Sequence, residues 1–121
     1  MRFGMIGDNP IEKAALASGL LPTPMLEGYA MVITRALLAA VRVGLFEALG
    51  DGVATPGELA ARCDTDPRAT EKLLNLLAAM RYVRAGRDGT YRLSRTARRW
   101  LTGPSSVRDR VLMKDLVWRL I

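Results

Sequence analysis

Histidine is absent from the 121-residue chain, and cysteine occurs once, as Cys63. Without histidine, neither a Ser-His-Asp triad nor a Cys-His pair can form within the chain. A zinc site built from the usual cysteine and histidine ligands is excluded for the same reason. A single cysteine cannot form an internal disulfide, which is typical of a reducing cytoplasm. We expect Cys63 to be an unreactive structural thiol, because no histidine is available to deprotonate it.

The chain also lacks an uncharged apolar run long enough to span a membrane. Its most apolar stretch, residues 25–49, is interrupted by the charged side chains of Glu27, Arg35, Arg42 and Glu47, whereas a membrane span needs roughly 18 apolar residues with few or no charges. Polar residues interrupt the N-terminal segment in the same way, so we do not expect it to be a signal peptide. We therefore predict no membrane partner and a cytoplasmic location.

Positive charge is concentrated in one short segment. The formal net charge is +6, from 18 basic and 12 acidic residues. Seven arginines and a single acid, Asp88, lie between Arg81 and Arg99, which leaves eleven basic and eleven acidic residues in the rest of the chain. The whole basic excess is therefore a local patch and not a general property of the protein.

Composition and length predict one domain with two flanking segments. Residues 1–24, rich in glycine and proline, form an N-terminal arm with one short helical turn. Residues 25–104 form the folded domain. Residues 105–121 form a helix with no cap after its last apolar residues, which suggests a cut inside a longer protein, and a natural C-terminal helix that docks on a partner is the other interpretation.

Residues 25–49 give the strongest helix signal. They contain no proline, consist mainly of good helix formers, and are followed by Gly50-Asp51-Gly52, which ends the helix. The apolar residues lie on most sides of this helix, so most sides must be covered. A second copy of the chain would cover them, and we expect a homodimer whose interface contains Leu26, Tyr29, Ile33, Leu37, Leu38, Val41 and Leu45.

Two further helices and a hairpin follow. Thr55-Pro56-Gly57-Glu58 is a capping box, and Asp66-Pro67 starts a second helix in the same way. We expect that helix to bury Ala69, Leu73, Leu76, Leu77 and Met80, and to expose Arg68, Glu71, Lys72 and Asn75. After this helix, the spacing of apolar residues changes from the helical repeat of 3.6 residues to the strand repeat of 2. Two strand-like runs, at 82–85 and 90–93, are joined by a turn containing Asp88-Gly89. Ser94 caps a short helix that Gly103-Pro104 ends.

This order predicts a mainly α fold, a winged helix-turn-helix with a long N-terminal helix and a two-stranded β-hairpin wing. The sequence resembles the N-terminal dimerisation domain of S-adenosylmethionine-dependent O-methyltransferases of the plant-type and bacterial small-molecule class. The resemblance covers about residues 25–102. It rests on four pieces of sequence: residues 40–49 (AVRVGLFEAL), 55–60 (TPGELA), 66–77 (with DPRA and LLNLL) and 91–94 (YRLS) leading into 97–101.

The resemblance implies a homodimer joined through the first helix. It also implies that Met25, Tyr29 and Met31 contribute to the wall of the substrate pocket, where a small-molecule methyl acceptor binds. S-adenosylmethionine is implied for the whole methyltransferase, together with a catalytic domain that is missing from this chain and to which residues 105–121 would start the linker. This chain has no glycine-rich loop after a strand, because Thr55 stands where Gly50-Asp51-Gly52 would need a third glycine. We therefore expect no catalytic, cofactor-binding or metal-binding residues in the chain itself.

A dimeric winged-helix transcriptional regulator is the alternative interpretation. In that fold the second helix of the helix-turn-helix reads bases, and the wing contacts phosphates. The DNA-contacting residues would then be Arg68, Lys72, Asn75, Arg84, Arg87 and Arg92. Glu71 lies among the reading residues and would repel phosphates, which counts against this alternative.

Overall fold

The structure, a computed structural model, describes residues 6–104 and 106–120. Residues 1–5 of the predicted arm, and both end residues of the predicted segment 105–121, lie outside this part. Eight helices and two strands follow one another in the described chain: α1 (Pro10–Ala17), α2 (Thr23–Glu27), α3 (Ala30–Arg42), α4 (Leu45–Leu49), α5 (Pro56–Cys63), α6 (Pro67–Ala79), β1 (Val83–Ala85), β2 (Tyr91–Leu93), α7 (Arg95–Trp100) and α8 (Arg108–Leu120).

The chain divides into two compact units, one up to Thr34 and one from Arg35 onward. The first unit holds α1, α2 and the beginning of α3. Here α1 is a two-turn helix where a single turn was expected. The Asn9 side chain accepts a hydrogen bond from the Glu12 N–H, and Pro10 occupies the first helical position, so the residues that suggested a loop form a helix start.

The predicted single helix over 25–49 is wrong, because it is three helices. The first break follows Glu27, at Gly28 and Tyr29, and the second follows Arg42. Gly44 has φ +71°, a left-handed conformation that glycine adopts without the steric cost of a side chain, and α4 starts directly after it. Gly28 and Gly44 mark the two breaks, but the apolar pattern and the helix-forming composition of residues 25–49 continue through both.

The hydrophobic core lies in the second unit. The chain turn at Gly44 directs α4 inward, where Leu45, Phe46 and Leu49 are buried. They pack with side chains of α3, α5, α6, the hairpin and α7. The largest fully buried side chains are Phe46, Leu45, Leu59, Leu74, Leu77 and Val83. This core is assembled by a mainly helical unit with one small sheet.

The predicted capping residues are confirmed. Thr55 and Glu58 form the capping box at the start of α5, and Asp64 ends that helix in a left-handed conformation. The Asp66 side chain accepts from the Ala69 N–H at the start of α6, and Ser94 caps α7. The buried face of α6 differs from the prediction. Thr70 and Leu74 are buried with Leu77, while Ala69 and Leu76 are exposed.

The hairpin is confirmed as an antiparallel pair. Its register joins Val83 to Leu93, Arg84 to Arg92 and Ala85 to Tyr91. Gly89, with φ +78°, completes the turn after Asp88. Ala54 adds an isolated bridge to Tyr91 on the other edge of β2. The order of α5, α6 and the hairpin is the order expected of a winged helix.

One apolar stretch meets the length and composition of a membrane span. Taken as one run across the turn at Gly28, residues 23–42 contain an 18-residue window with a mean hydropathy of 1.3, and 18% of that window is buried. Core helices of soluble proteins meet the same criterion, so length and composition are weak evidence for a membrane.

Candidate functional site

Side chains that could carry chemistry are dispersed in the described residues. No group of three histidine, cysteine, aspartate or glutamate side chains close enough to hold a metal ion occurs among residues 6–104 and 106–120. Cys63 is half-buried at the end of α5. Burial raises the pKa of its thiol, the negative charge of Glu47 raises it further, and Arg62 opposes both. The candidate sites are therefore surfaces for partners.

Apolar side chains are exposed along residues 6–34, the described part of the first unit. The three residues expected in a substrate-pocket wall are among them: Met25 is 73% exposed, Tyr29 60% and Met31 61%. Ile33, expected in the dimer interface, is 42% exposed, and Leu26 is half-buried. Val32 is also exposed, although sequence reasoning did not single it out. The N-terminal half of α3 therefore carries apolar side chains that the chain itself leaves in water.

The C-terminal half of α3 behaves differently. Leu38 and Val41 are buried in the chain's own core, as is Leu45 on α4, so these three expected interface residues offer little surface to a partner. Leu37 is half-buried against the same core. Ile33 lies one helical turn before Leu37, on the same face of the helix. Of the expected dimer contacts, Leu26, Tyr29 and Ile33 have apolar surface that a partner could reach. Part of the Leu37 side chain is also accessible.

The expected DNA-contacting residues are exposed, but one of them, Asn75, is held by a hydrogen bond to another side chain. Arg68, Lys72 and Asn75 lie on the exposed side of α6 together with Glu71. The Asn75 carboxamide oxygen accepts a 2.7 Å hydrogen bond from the Tyr91 hydroxyl, which ties this side chain to the hairpin. A base-reading role for Asn75 would compete with that bond.

The hairpin arginines form the most basic part of the surface. Arg84 and Arg92 lie directly opposite each other in the sheet register, and Arg87 lies in the connecting turn. The neighbouring Asp88 carboxylate accepts from the hydroxyl and the N–H of Thr90, at 2.6 and 3.2 Å. These hydrogen bonds lower the pKa of Asp88, so it is a fixed negative charge inside the turn.

A contact missed by sequence reasoning joins α4 to α8. The Arg108 guanidinium donates to the Glu47 carboxylate across 61 residues of sequence, and the contact raises the pKa of Arg108. Val111 and Leu112 of α8 pack against the core near it. Met113, Leu116, Val117 and Leu120 remain exposed. No local pattern could have signalled a pair so far apart in the chain.

Known proteins resemble this chain in sequence and in fold. A family model described as the O-methyltransferase dimerisation domain matches residues 26–103. No curated protein sequence gives a significant match. Among solved structures, PigF with SAH is 32% identical with a TM-score of 0.71, and the match covers 79% of this chain and 29% of PigF.

Two further methyltransferase structures are similar to the chain. CalO1, a methyltransferase in calicheamicin biosynthesis solved in an SAH-bound form, is 31% identical with a TM-score of 0.65, over 88% of this chain and 30% of CalO1. The mitomycin 7-O-methyltransferase MmcR is 25% identical with a TM-score of 0.64, over 85% of this chain and 30% of MmcR. The chain thus spans about 30% of the length of these relatives.

Proposed function

Because the chain belongs to the O-methyltransferase dimerisation-domain family, we propose that it is the homodimerisation module of an S-adenosylmethionine-dependent O-methyltransferase. The observation that carries the proposal is the family match over residues 26–103, which includes the exposed apolar half of α3. The same match favours this function over that of a transcriptional regulator. Relatives solved with SAH support S-adenosylmethionine as the cofactor of the whole enzyme.

The proposed dimer surface consists of Leu26, Tyr29, Ile33 and the accessible part of Leu37. Full burial of a large apolar side chain contributes about 1.5–3 kcal/mol, so a few such side chains matter against the stability of a small domain. A two-fold axis brings this same surface of each copy together and buries both at once. Pairing with a second copy therefore explains why these apolar side chains are exposed in one chain. By length and composition alone, the same stretch could also lie in a membrane.

Replacement of Ile33 by aspartate tests this surface. Ile33 is outside the core, so Ile33→Asp should leave the folded unit intact while placing two carboxylates at the two-fold contact. We expect the variant to elute as a monomer in size-exclusion chromatography where the unmodified chain elutes as a dimer. Ala39→Asp is the matched control, since Ala39 is exposed on another face of α3. Equal elution of Ile33→Asp and the unmodified chain would reject this interface.

The remaining assignments follow from the same family membership. Residues 1–24 would act as an arm, residues 25–104 as the dimerisation domain, and residues 105–121 as the link to a catalytic domain that binds S-adenosylmethionine. Met25, Tyr29 and Met31 would line part of the pocket for a small-molecule methyl acceptor, supported by their exposure. The enzyme would work in the cytoplasm and not at a membrane.

A further inference from the structure

The outer face of the hairpin carries two arginines where a sheet would ordinarily avoid them. Val83, Tyr91 and Leu93 face the core, and Arg84 and Arg92 alternate with them on the opposite side. These two arginines are register partners, and like charges directly opposite each other destabilise an antiparallel pair. Folding alone gives no reason for this pairing, whereas an anion that binds between the two guanidinium groups would.

The acids of the chain do not neutralise this face. In the described residues, Arg84, Arg87, Arg92 and Arg95 have no ion-pair partner, and the nearest acid in sequence, Asp88, is held by Thr90. Arg84 lines two open cavities. One, of about 570 Å³, also has Arg95 in its wall, and the other, of about 270 Å³, has Arg92. Three of these arginines, Arg84, Arg92 and Arg95, thus line the two cavities beside the hairpin.

The side chains on this face are better suited to binding phosphate groups through their charge than to binding a protein partner through apolar contacts. Protein partners are usually anchored by buried aromatic and apolar side chains. One large apolar side chain, Val53, is exposed in the recess that holds Arg84 and Arg92, and no large apolar side chain from residue 77 to residue 99 is exposed. The guanidinium group binds phosphate through two parallel hydrogen bonds and needs no apolar anchor. A face with several arginines and only Val53 as an exposed large apolar side chain is thus suited to a chain of phosphates.

We propose that the hairpin face formed by Arg84, Arg87, Arg92 and Arg95 binds the phosphodiester backbone of nucleic acid, independently of base sequence. Backbone contacts position a protein on nucleic acid without reading bases. The tie between Asn75 and Tyr91, and the acid Glu71 on α6, agree with the lack of base reading. This binding is additional to dimerisation and does not depend on it.

The test is the salt dependence of binding to a fluorescent duplex DNA, measured by anisotropy on the full 121-residue chain. Affinity should fall steeply between about 50 and 200 mM NaCl, with a log–log slope of about −0.9 for each phosphate neutralised. The double variant Arg84→Gln/Arg92→Gln should weaken binding and make the slope shallower by about 2. Arg84→Lys/Arg92→Lys, which keeps the charge, should retain the slope.

Control variants distinguish binding by the hairpin face from a general effect of the protein's net charge. Lys13→Gln/Arg110→Gln removes the same charge from exposed positions outside the hairpin and should leave the slope unchanged. Two duplexes of unrelated sequence should bind equally. If Arg84→Gln/Arg92→Gln loses its cooperative melting, Arg87→Gln in the turn replaces it, with an expected slope change of about 1. An unchanged slope in the hairpin variants, preference for one duplex sequence, or binding of polyglutamate but not of DNA would overturn the proposal.

Discussion

Cys63 illustrates how a single residue depends on its surroundings. Burial and the charge of Glu47 both raise the pKa of its thiol, so the reactive thiolate is scarce at neutral pH. We expect iodoacetamide to alkylate Cys63 more slowly in the folded chain than in the chain unfolded by urea, as followed by mass spectrometry. Glu47→Gln should raise the folded-state rate, because it removes a negative charge that disfavours the thiolate. Equal rates in folded and unfolded chains would contradict this prediction.

Met31 tests the proposed pocket wall. Its side chain is 61% exposed and lies outside the core, so Met31→Ala should leave the fold intact. In the methyltransferase that carries this domain, we expect Met31→Ala to raise the KM for the methyl acceptor and to leave the KM for S-adenosylmethionine unchanged. Steady-state kinetics with each substrate varied in turn would measure this. Unchanged KM values for both substrates would remove Met31 from the pocket.

At the scale of elements, the caps of α5, α6 and α7 and the hairpin turn follow from local sequence, whereas the break at Gly44 and the buried face of α6 do not. Caps such as Thr55 and Asp66 were predicted correctly because a cap is formed by residues three apart in sequence. The helix over 25–49 was predicted too long, because its apolar pattern continues through Gly44 while the backbone turns there. Which side of α6 is buried depends on what packs against it, and the choice of Leu76 over Leu74 could not be corrected from its own sequence.

The hairpin gives a prediction for stability. Because Arg84 and Arg92 are register partners, Arg84→Glu replaces a repulsive cross-strand pair by an attractive one. We expect the free energy of unfolding to rise by about 0.2–1 kcal/mol. Arg87→Glu, which makes the same charge change in the turn, should have a smaller effect. Urea denaturation of both variants measures the difference, and a lower stability of Arg84→Glu than of Arg87→Glu would contradict it.

At the scale of the whole molecule, we expect that this chain alone does not bind the methyl donor. Dinucleotide-like cofactors bind at a glycine-rich turn between a strand and a helix, and Gly50-Asp51-Gly52 follows α4 instead. We therefore expect isothermal titration calorimetry of this chain with S-adenosylmethionine to give no binding heat. Stoichiometric binding at micromolar affinity would show that the domain contributes a cofactor site.

The site was predicted less completely than the fold. The sequence indicated that the helix at 25–49 has more apolar residues than one chain can cover, but it could not say which of them the chain covers itself. The structure assigns Leu38, Val41 and Leu45 to the core and leaves Ile33 outside. Leu37 packs partly on the core, so Leu37→Asp would combine loss of stability with loss of dimer. Because Ile33 lies outside the core, Ile33→Asp should break the dimer without lowering the stability of the folded chain.

The central claim is that two copies of this chain associate through the exposed half of α3 together with Leu26 and Tyr29 just before it. Sedimentation equilibrium of the unmodified chain at low micromolar concentration tests it most directly. The account predicts a mass of twice 13.3 kDa. A mass of 13.3 kDa for a chain that melts cooperatively would show that one copy satisfies this helix alone, and would contradict the account.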